Sequence, residues 1–527
     1  MARPFDIVVV GGGHNTLCAA AYLARCGLGV LVLEQRPQVG GGAGSEELTL
    51  PGYVHDVHAT GVAHLQGHPL VATDELGLLS TFGLKFVYPS RSFMTVFDDG
   101  DTISCFKDLD RTCAEFGKFS LKDADRYREM ARFMESVVPM INMSMARPPV
   151  SFGNFISFLE KLPVGPPLIL AMMKSAYDVI VENFEHPKIQ IHFLKWAAET
   201  LCGPEEKTTG INMFLLIGAS HSHPAGAVVG GTQCLSDAMV RCIEHYGGEV
   251  RVDCTVTRVV TADGVAMAVE LADGSFVTAG RAIVAAIHPH ALGKMVPGLE
   301  AGLIDRARAT TSSAFAEILV HCAVKDKVNW NAGDGPNDCL TANLIDYAGM
   351  NQFRRAFDGM KYGALPDLFM AGVALHTNYD PTRAPLGRHT LYCNVLSPYE
   401  LADGGAAGWD RIKERRADWI IERLTRYCPN LTAENVLARR VHSPLDMARH
   451  SPSFVRGDIM GLGSYIYQSL GLRPTAELSQ YAVPGARGLY LAGPFMHPGG
   501  GLTGGGRAVA IRIMEDLGVP YSSIIRS

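Results

Sequence analysis

Between residues 6 and 34 the chain runs strand, glycine turn, helix, strand and acid, an order that few folds accommodate. Asp6–Val10 (DIVVV) is a short β-branched run of the kind buried on both faces of a parallel sheet. Gly11, Gly12 and Gly13 follow at once, then a helix pattern through Leu17–Ala24, for which Gly27 can supply a left-handed cap. Val30–Leu33 reads as a second buried strand ending at Glu34. Such a unit binds the pyrophosphate of a dinucleotide: Gly11 allows the tight turn, Gly13 lets backbone approach the phosphates, and the helix start offers free N–H groups and a positive dipole end. Glu34, about twenty residues past Gly13, stands where a carboxylate accepts from ribose hydroxyls. Thr16 replaces the third glycine of G-x-G-x-x-G, which predicts a helix standing slightly further from the strand.

Two further glycine clusters extend the pattern. Gly40-Gly41-Gly42-Ala43-Gly44 follows Glu34 closely, and bare backbone there can lie along an extended dinucleotide. Near the other end, the apolar strand Gly488–Gly493 leads through Pro494-Phe495-Met496-His497-Pro498-Gly499-Gly500-Gly501-Leu502-Thr503-Gly504-Gly505-Gly506 into the helix Arg507–Leu517, again strand, glycines, helix start. So many glycines cost conformational entropy on folding, and a bland loop of this length is improbable in a folded domain. In mid-chain, Pro224–Gly231 precedes a helix with Leu235, Met239, Cys242 and Ile243 at helical spacing. Short strands follow around Glu249–Val252 and Val256–Val260, with turns at Asp263-Gly264 and Asp273-Gly274, and Ala282–Ile287 returns to a buried-strand pattern. Gly230-Gly231 lacks both the G-x-G turn and the acid, so no second nucleotide unit is expected. The absence of a C-x-x-C pair argues against a disulphide reductase.

The G-x-G-H-N start (Gly11 to Asn15), the E-x-R-x-x-x-G-G continuation (Glu34 to Gly41) and the H-P-G-G-G segment at His497 resemble the phytoene desaturase and amine oxidase group of flavoproteins. They are closest to its carotenoid-desaturase-like, pyridine nucleotide-disulphide oxidoreductase domain 2-like branch. The resemblance implies an FAD-dependent oxidoreductase of α/β class. Its Rossmann-type FAD-binding domain would be discontinuous (1–68, 223–289 and 482–527), and its α+β substrate domain, with a helical part, would be built from 69–222 and 290–481. It implies FAD contacts from Gly11, Gly13, His14, Asn15, Thr16, Glu34, Gln35, Gly41, Gly42 and Ala43, from Val256 through its backbone to the adenine, and from Gly493, Gly501, Leu502 and Thr503, with the His497 loop wrapping the isoalloxazine. Where phytoene desaturases usually carry arginine after the paired glycines, this chain has Gly42, so no phosphate contact from a side chain is carried over.

A chain of 527 residues exceeds one compact core. Its net charge of −6 gives no basic face for nucleic acid. Twelve scattered cysteines suit a reducing, cytoplasmic setting. Only Met-Ala-Arg-Pro precedes the strand beginning at Phe5, too little for a signal peptide, and the apolar stretch Leu162–Met173 is broken by three prolines, so spanning a membrane is not expected while peripheral contact stays open.

Residues 123–145 and 164–201 carry Met130, Met134, Met140, Met143, Met145, Met172 and Met173, which suit either a core or an adaptable apolar channel. Hydride transfer to flavin needs placement of a C–H bond and a group to take or share a proton. His497 is the first candidate. His58, within His55-Asp56-Val57-His58 and followed by His64 and His68, is the second. Tyr465 and Tyr467 would share one face of a strand and could line the pocket, and His221 and His223 rank lower. His-x-x-His spacing without a completing set does not make a metal site. Three readings stay open: a dehydrogenase or desaturase acting on a C–H of an apolar or carbonyl-activated substrate, a flavin amine oxidase, and a flavin-binding interaction protein without turnover. The acceptor (oxygen, quinone or protein), net oxidation against isomerisation, and oligomeric state stay undetermined.

Overall fold

The computed structural model describes residues 5–525, so the tetrapeptide Met1–Pro4 lies outside the described residues. A five-stranded parallel sheet runs in the order Leu489–Leu491, Ala282–Ala285, Ile7–Val10, Val30–Leu33, Glu249–Arg251. Its strands come from three distant parts of the chain, and all but the edge strand Glu249–Arg251 are buried almost throughout, as near-continuous apolar sequence requires of a covered parallel sheet. The helices His14–Arg25, Gln233–His245 and Gly506–Leu517 pack together on it. Gly27 takes the left-handed conformation expected past the first helix (φ +85°). Val256–Ala262, Val265–Leu271 and Phe276–Thr278 form the expected antiparallel meander.

A second sheet has seven strands, in the order Val436–His442, Ala316–Val324, His389–Ser397, Met370–Ala374, Cys339–Ile345, Arg91–Phe97, Thr102–Phe106. Only the pairing of Cys339–Ile345 with Arg91–Phe97 is parallel. Side chains alternate between its faces. Ile318, Val320, Cys322, Leu344, Val373 and Cys393 enter a core closed by Trp409, Ile420 and Leu424 of the helix Trp409–Thr425. The opposite face carries Glu317, Thr341, Tyr392 and Asn394, and it looks onto a cavity.

The methionine-rich stretches are the helices Leu121–Met145, Gly165–Met173, Ala176–Asn183 and Pro187–Ala198. Met130, Met134 and Met172 are buried in their packing, whereas Met143 and Met173 are exposed. None of the seven methionines of these stretches borders the main cavity, so they do not line a channel there, and Met143 borders a separate opening. Among the described residues, no helix is long and apolar enough to cross a membrane.

Candidate active site

In open parallel sheets, ligands lie beyond the carboxyl ends of the strands, where neighbouring connections diverge. Four strands of the first sheet deliver their ends to one cavity of about 770 Å³: Gly11 after the first strand, Glu34 after the second, Ala286 and His288 after Ala282–Ala285, and Gly493 after Leu489–Leu491. The far wall is the polar face of the seven-stranded sheet.

The glycine clusters meet there as backbone on backbone. Gly40 N donates to Gly12 O (2.7 Å), and Gly13 and Gly40 form a parallel bridge. A Cβ on Gly41 (φ +57°) would lie 3.2 Å from the Gly13 Cα. Glu34 holds the turn: its Oε2 accepts from Gly12 N (2.6 Å) and its Oε1 from Arg36 N (2.9 Å). Each oxygen keeps a second lone pair for a hydroxyl of a ligand. Thr16 does not merely replace a glycine. Its hydroxyl lies 2.6 Å from Gly11 O and 2.8 Å from Gly13 O, tying the turn to the helix. Close approach is instead supplied by Gly506, where any Cβ would collide with Asn15 O and Ala19 N of the first helix. His14 Nε2 reaches Gly501 O (3.3 Å), and burial pushes this imidazole down to about 4, so it is neutral near pH 7.

Of the residues expected to touch FAD, Gly11, Gly13, His14, Asn15, Thr16, Glu34, Gln35, Gly41, Gly42, Val256, Gly493, Gly501 and Leu502 border this one cavity, although they span nearly the whole chain. Ala43 and Thr503 stand behind the wall, where Ala43 O accepts from Ser236 Oγ (3.0 Å) and the Thr503 hydroxyl donates to Gly499 O within its own loop (3.4 Å). At Gly42 a Cβ would come within 3.3 Å of the Phe454 ring, itself part of the wall, so an arginine there would first have to displace an aromatic side chain.

The expected catalytic residues separate. His58 borders the cavity, buried, with both ring nitrogens unpartnered and edge-on to His450 and Phe454. Burial, reinforced by the neighbouring His450, His442 and Arg36, lowers its basicity far below the usual histidine range. His497 is corrected: its Nε2 bonds Ser144 O (3.1 Å), pinning the glycine loop to the helix Leu121–Met145, and it does not border the cavity. Tyr465 and Tyr467 are corrected as well. They lie at a 3₁₀ turn (Ile466–Gln468) and not on a strand, their rings stack 5.2 Å apart, Tyr465 donates to Glu206, Tyr467 is half exposed, and neither reaches the cavity. The turn arises because Gly461 and Gly463 break the run and Gln468 bonds back to Gly463 O (2.9 Å). His221 is bonded to Tyr127 (2.7 Å), and with His223 it borders a separate opening. Among the described residues no three His, Cys, Asp or Glu side chains gather as a metal would need.

Glu317 is a candidate functional residue that the sequence motifs do not mark. It is 4% exposed, borders the cavity, and accepts from Asn394 Nδ2 (2.6 Å). The same amide lies 3.4 Å from Glu199, whose other oxygen is held by the buried Lys195. Burial, with Glu199 adding to it, pushes the Glu317 carboxyl up to about 7. Gly372 makes room for this arrangement, since any Cβ there would strike Asn394 Oδ1. A signal was present: Glu317 is the only carboxylate in the apolar run Ala316–Val324.

The wall also holds buried polar atoms with no protein partner: Asn15 Oδ1, both His58 nitrogens and Trp196 Nε1. Unmet groups of this kind ask for a ligand with donors and acceptors along its length. A long dinucleotide meets that need, and the cradle of glycines fits its phosphates.

Comparison with known proteins agrees. The chain is 28% identical to the mouse pyridine nucleotide-disulfide oxidoreductase domain-containing protein 2, covering 97% of this chain and 94% of that one. It is 25% identical to a component of the limonene dehydrogenase of Castellaniella defragrans, covering 98% and 95%. Cyclohexylamine oxidase of Brevibacterium oxydans shares the fold, with a TM-score of 0.59 at 16% identity over 98% of this chain and 100% of the other. Residues 17–337 match the family described as flavin containing amine oxidoreductase, and the chain belongs to that family of FAD-dependent oxidoreductases.

Proposed function

We propose that the enzyme removes hydride and a proton from adjacent carbons of an apolar or carbonyl-activated substrate, with FAD held by the three glycine-bearing segments 1–68, 223–289 and 482–527 and the substrate seated by 69–222 and 290–481. The supporting observation is that a single cavity is bordered at one side by the glycine turns and Glu34, and at the other by a largely apolar wall (Trp196, Phe454, Ile459, Met460) with Glu317, Asn394 and Thr341 as its polar points. When bound there, FAD accepts the electrons. The chain excludes water with the apolar wall, orients the substrate with the polar set and takes up a proton. Among the described residues the wall has one tyrosine, Tyr392, and its hydroxyl donates to His58 O (3.2 Å). The name of the limonene dehydrogenase relative favours the same reading.

As an oxidoreductase the protein passes electrons from a substrate to an acceptor; oxygen, a quinone and a partner protein are the proposed classes. All twelve cysteines are unpaired, which suits a reducing compartment such as the cytoplasm. The test is anaerobic mixing of the FAD-loaded enzyme with a saturated ketone, an isoprenoid and a primary amine. Bleaching of the flavin by either of the first two supports the proposal. Bleaching by the amine alone replaces it with C–N oxidation. Reoxidation of the bleached enzyme by oxygen or a quinone then identifies the acceptor.

A further inference from the structure

We propose that Glu317 is the catalytic base, the group in this cavity that receives the substrate proton, with Asn394 fixing its carboxylate and the Lys195–Glu199 pair setting the charge around it. This rests on the dehydrogenase reading above. Of the groups bordering the cavity that could accept a proton, His288 and His450 are pushed down to about 4, chiefly by burial. His58 is ruled out by its surroundings, since burial beside His450, His442 and Arg36 leaves its imidazole a very weak base. Glu199 is already tied to Lys195. Glu317 has no cation of its own. Its hydrogen-bond donor is the neutral Asn394 amide, and the groups facing it are Glu199 and Lys195 from the end of the helix Pro187–Ala198, with Tyr392 and Asn394 from the adjoining strand. Burial beside Glu199 raises its carboxyl into the neutral range, where a base combines the ionised form with useful proton affinity.

In the reaction two adjacent C–H bonds of the substrate break. One would leave with its electron pair as hydride, for which FAD held by the glycine turns and Glu34 would be the two-electron oxidant. The pair of the other closes the new C=C bond, and its proton goes to a Glu317 oxygen. A carboxylate of this strength removes only an activated proton, which narrows the substrate to compounds whose departing C–H lies next to a carbonyl or a conjugated system. The Thr341 hydroxyl in the same wall offers a donor for such a carbonyl.

The test uses the FAD-loaded enzyme and its Glu317→Gln and Glu199→Gln variants. Glu317→Gln is near-isosteric and keeps an acceptor for Asn394. The infrared band of a protonated carboxyl should titrate in the neutral range in the wild type, vanish in Glu317→Gln, and shift to lower pH in Glu199→Gln, which removes the like charge. With cyclohexanone as probe, single-turnover bleaching should fall about a hundredfold or more in Glu317→Gln while FAD affinity stays unchanged. A neutral-range band that persists in Glu317→Gln, or bleaching at the wild-type rate, overturns the assignment and leaves the dehydrogenase reading intact. If neither cyclohexanone nor limonene bleaches the wild-type flavin, the dehydrogenase reading itself falls, and this assignment with it.

Discussion

Arg383 Nη1 donates to Asp56 Oδ2 across 2.6 Å with both side chains wholly buried, and this pair fastens the segment after the second glycine cluster to the seven-stranded sheet. Its remaining valences are met. Arg383 also donates to Asp380 Oδ2 (2.8 Å) and Val228 O (2.7 Å), and Asp56 Oδ1 accepts from Ser45 Oγ (2.7 Å) and Thr232 N (2.7 Å). The mid-chain glycines serve this network: Gly230 N donates to Asp380, and a Cβ on Gly231 would strike Ser45 Oγ.

Removing one partner strands a buried charge, so Asp56→Asn or Arg383→Met should each cost about 3–5 kcal/mol of stability, and the double variant less than the two combined. Burial by itself would raise the Asp56 carboxyl, but Arg383, His376 and Thr232 N hold it below its ordinary value of 3.8. A depressed carboxyl contributes stability at pH above its unfolded value and loses it as pH falls through the folded one. The wild type should therefore lose its advantage over Asp56→Asn below about pH 4. Urea unfolding across pH checks both statements.

Gly506 sets how closely the first and last helices approach. Gly506→Ala places a methyl against Asn15 O and Ala19 N, which are backbone atoms that cannot swing aside. The expected cost is about 1–3 kcal/mol. Because the same helices present His14 and Asn15 to the cavity, FAD should also be retained less well after gel filtration. Full retention at unchanged melting temperature would count against the convergence of the two ends as the basis of binding.

Glu34 works on the turn before it works on a ligand. Glu34→Ala leaves the Gly12 and Arg36 N–H groups without their acceptor. FAD affinity, measured by fluorescence titration of the flavin-free protein, should weaken at least tenfold, about 1.4 kcal/mol. Glu34→Gln keeps one acceptor oxygen and should lie between.

The cradle was legible because its logic is local. A strand, a turn that only glycine permits and a helix start leave a continuous trace, as at Ile7–Arg25 and Leu489–Leu517, and the strand Val30–Leu33 falls where its apolar run places it. Glu317 was not legible, because its role depends on Asn394 three strands on in sequence, on Glu199 at the end of a helix, and on Gly372 leaving space between them. Tyr465 and Tyr467 misled because alternation over three residues does not separate a strand from a 3₁₀ turn when glycines flank it. His497 misled for the opposite reason: it does sit in the glycine loop, but its ring faces Ser144 on the far side.

Glu317 also carries a stability signature that is independent of turnover. Its carboxyl is raised from 4.5 to about 7 by burial and by Glu199, so the folded protein binds this proton more tightly than the unfolded chain does. The sign follows from linkage: between those two values the folded state holds the extra proton, and stability falls as pH rises. Below about pH 4 both states are protonated and the group contributes nothing. Above about pH 8 the full penalty of a buried anion is in place, on the order of 3 kcal/mol for a shift of this size. Glu317→Gln removes the ionisation. It should nearly match the wild type at pH 4.5 and exceed its stability by about 3 kcal/mol at pH 8, with the gap opening between about pH 4.5 and 7. Equilibrium urea unfolding of the two proteins at pH 5, 6, 7 and 8 reads this directly. A gap that does not grow with pH would mean that Glu317 ionises as an ordinary carboxylate, and the case for it as the base would be lost.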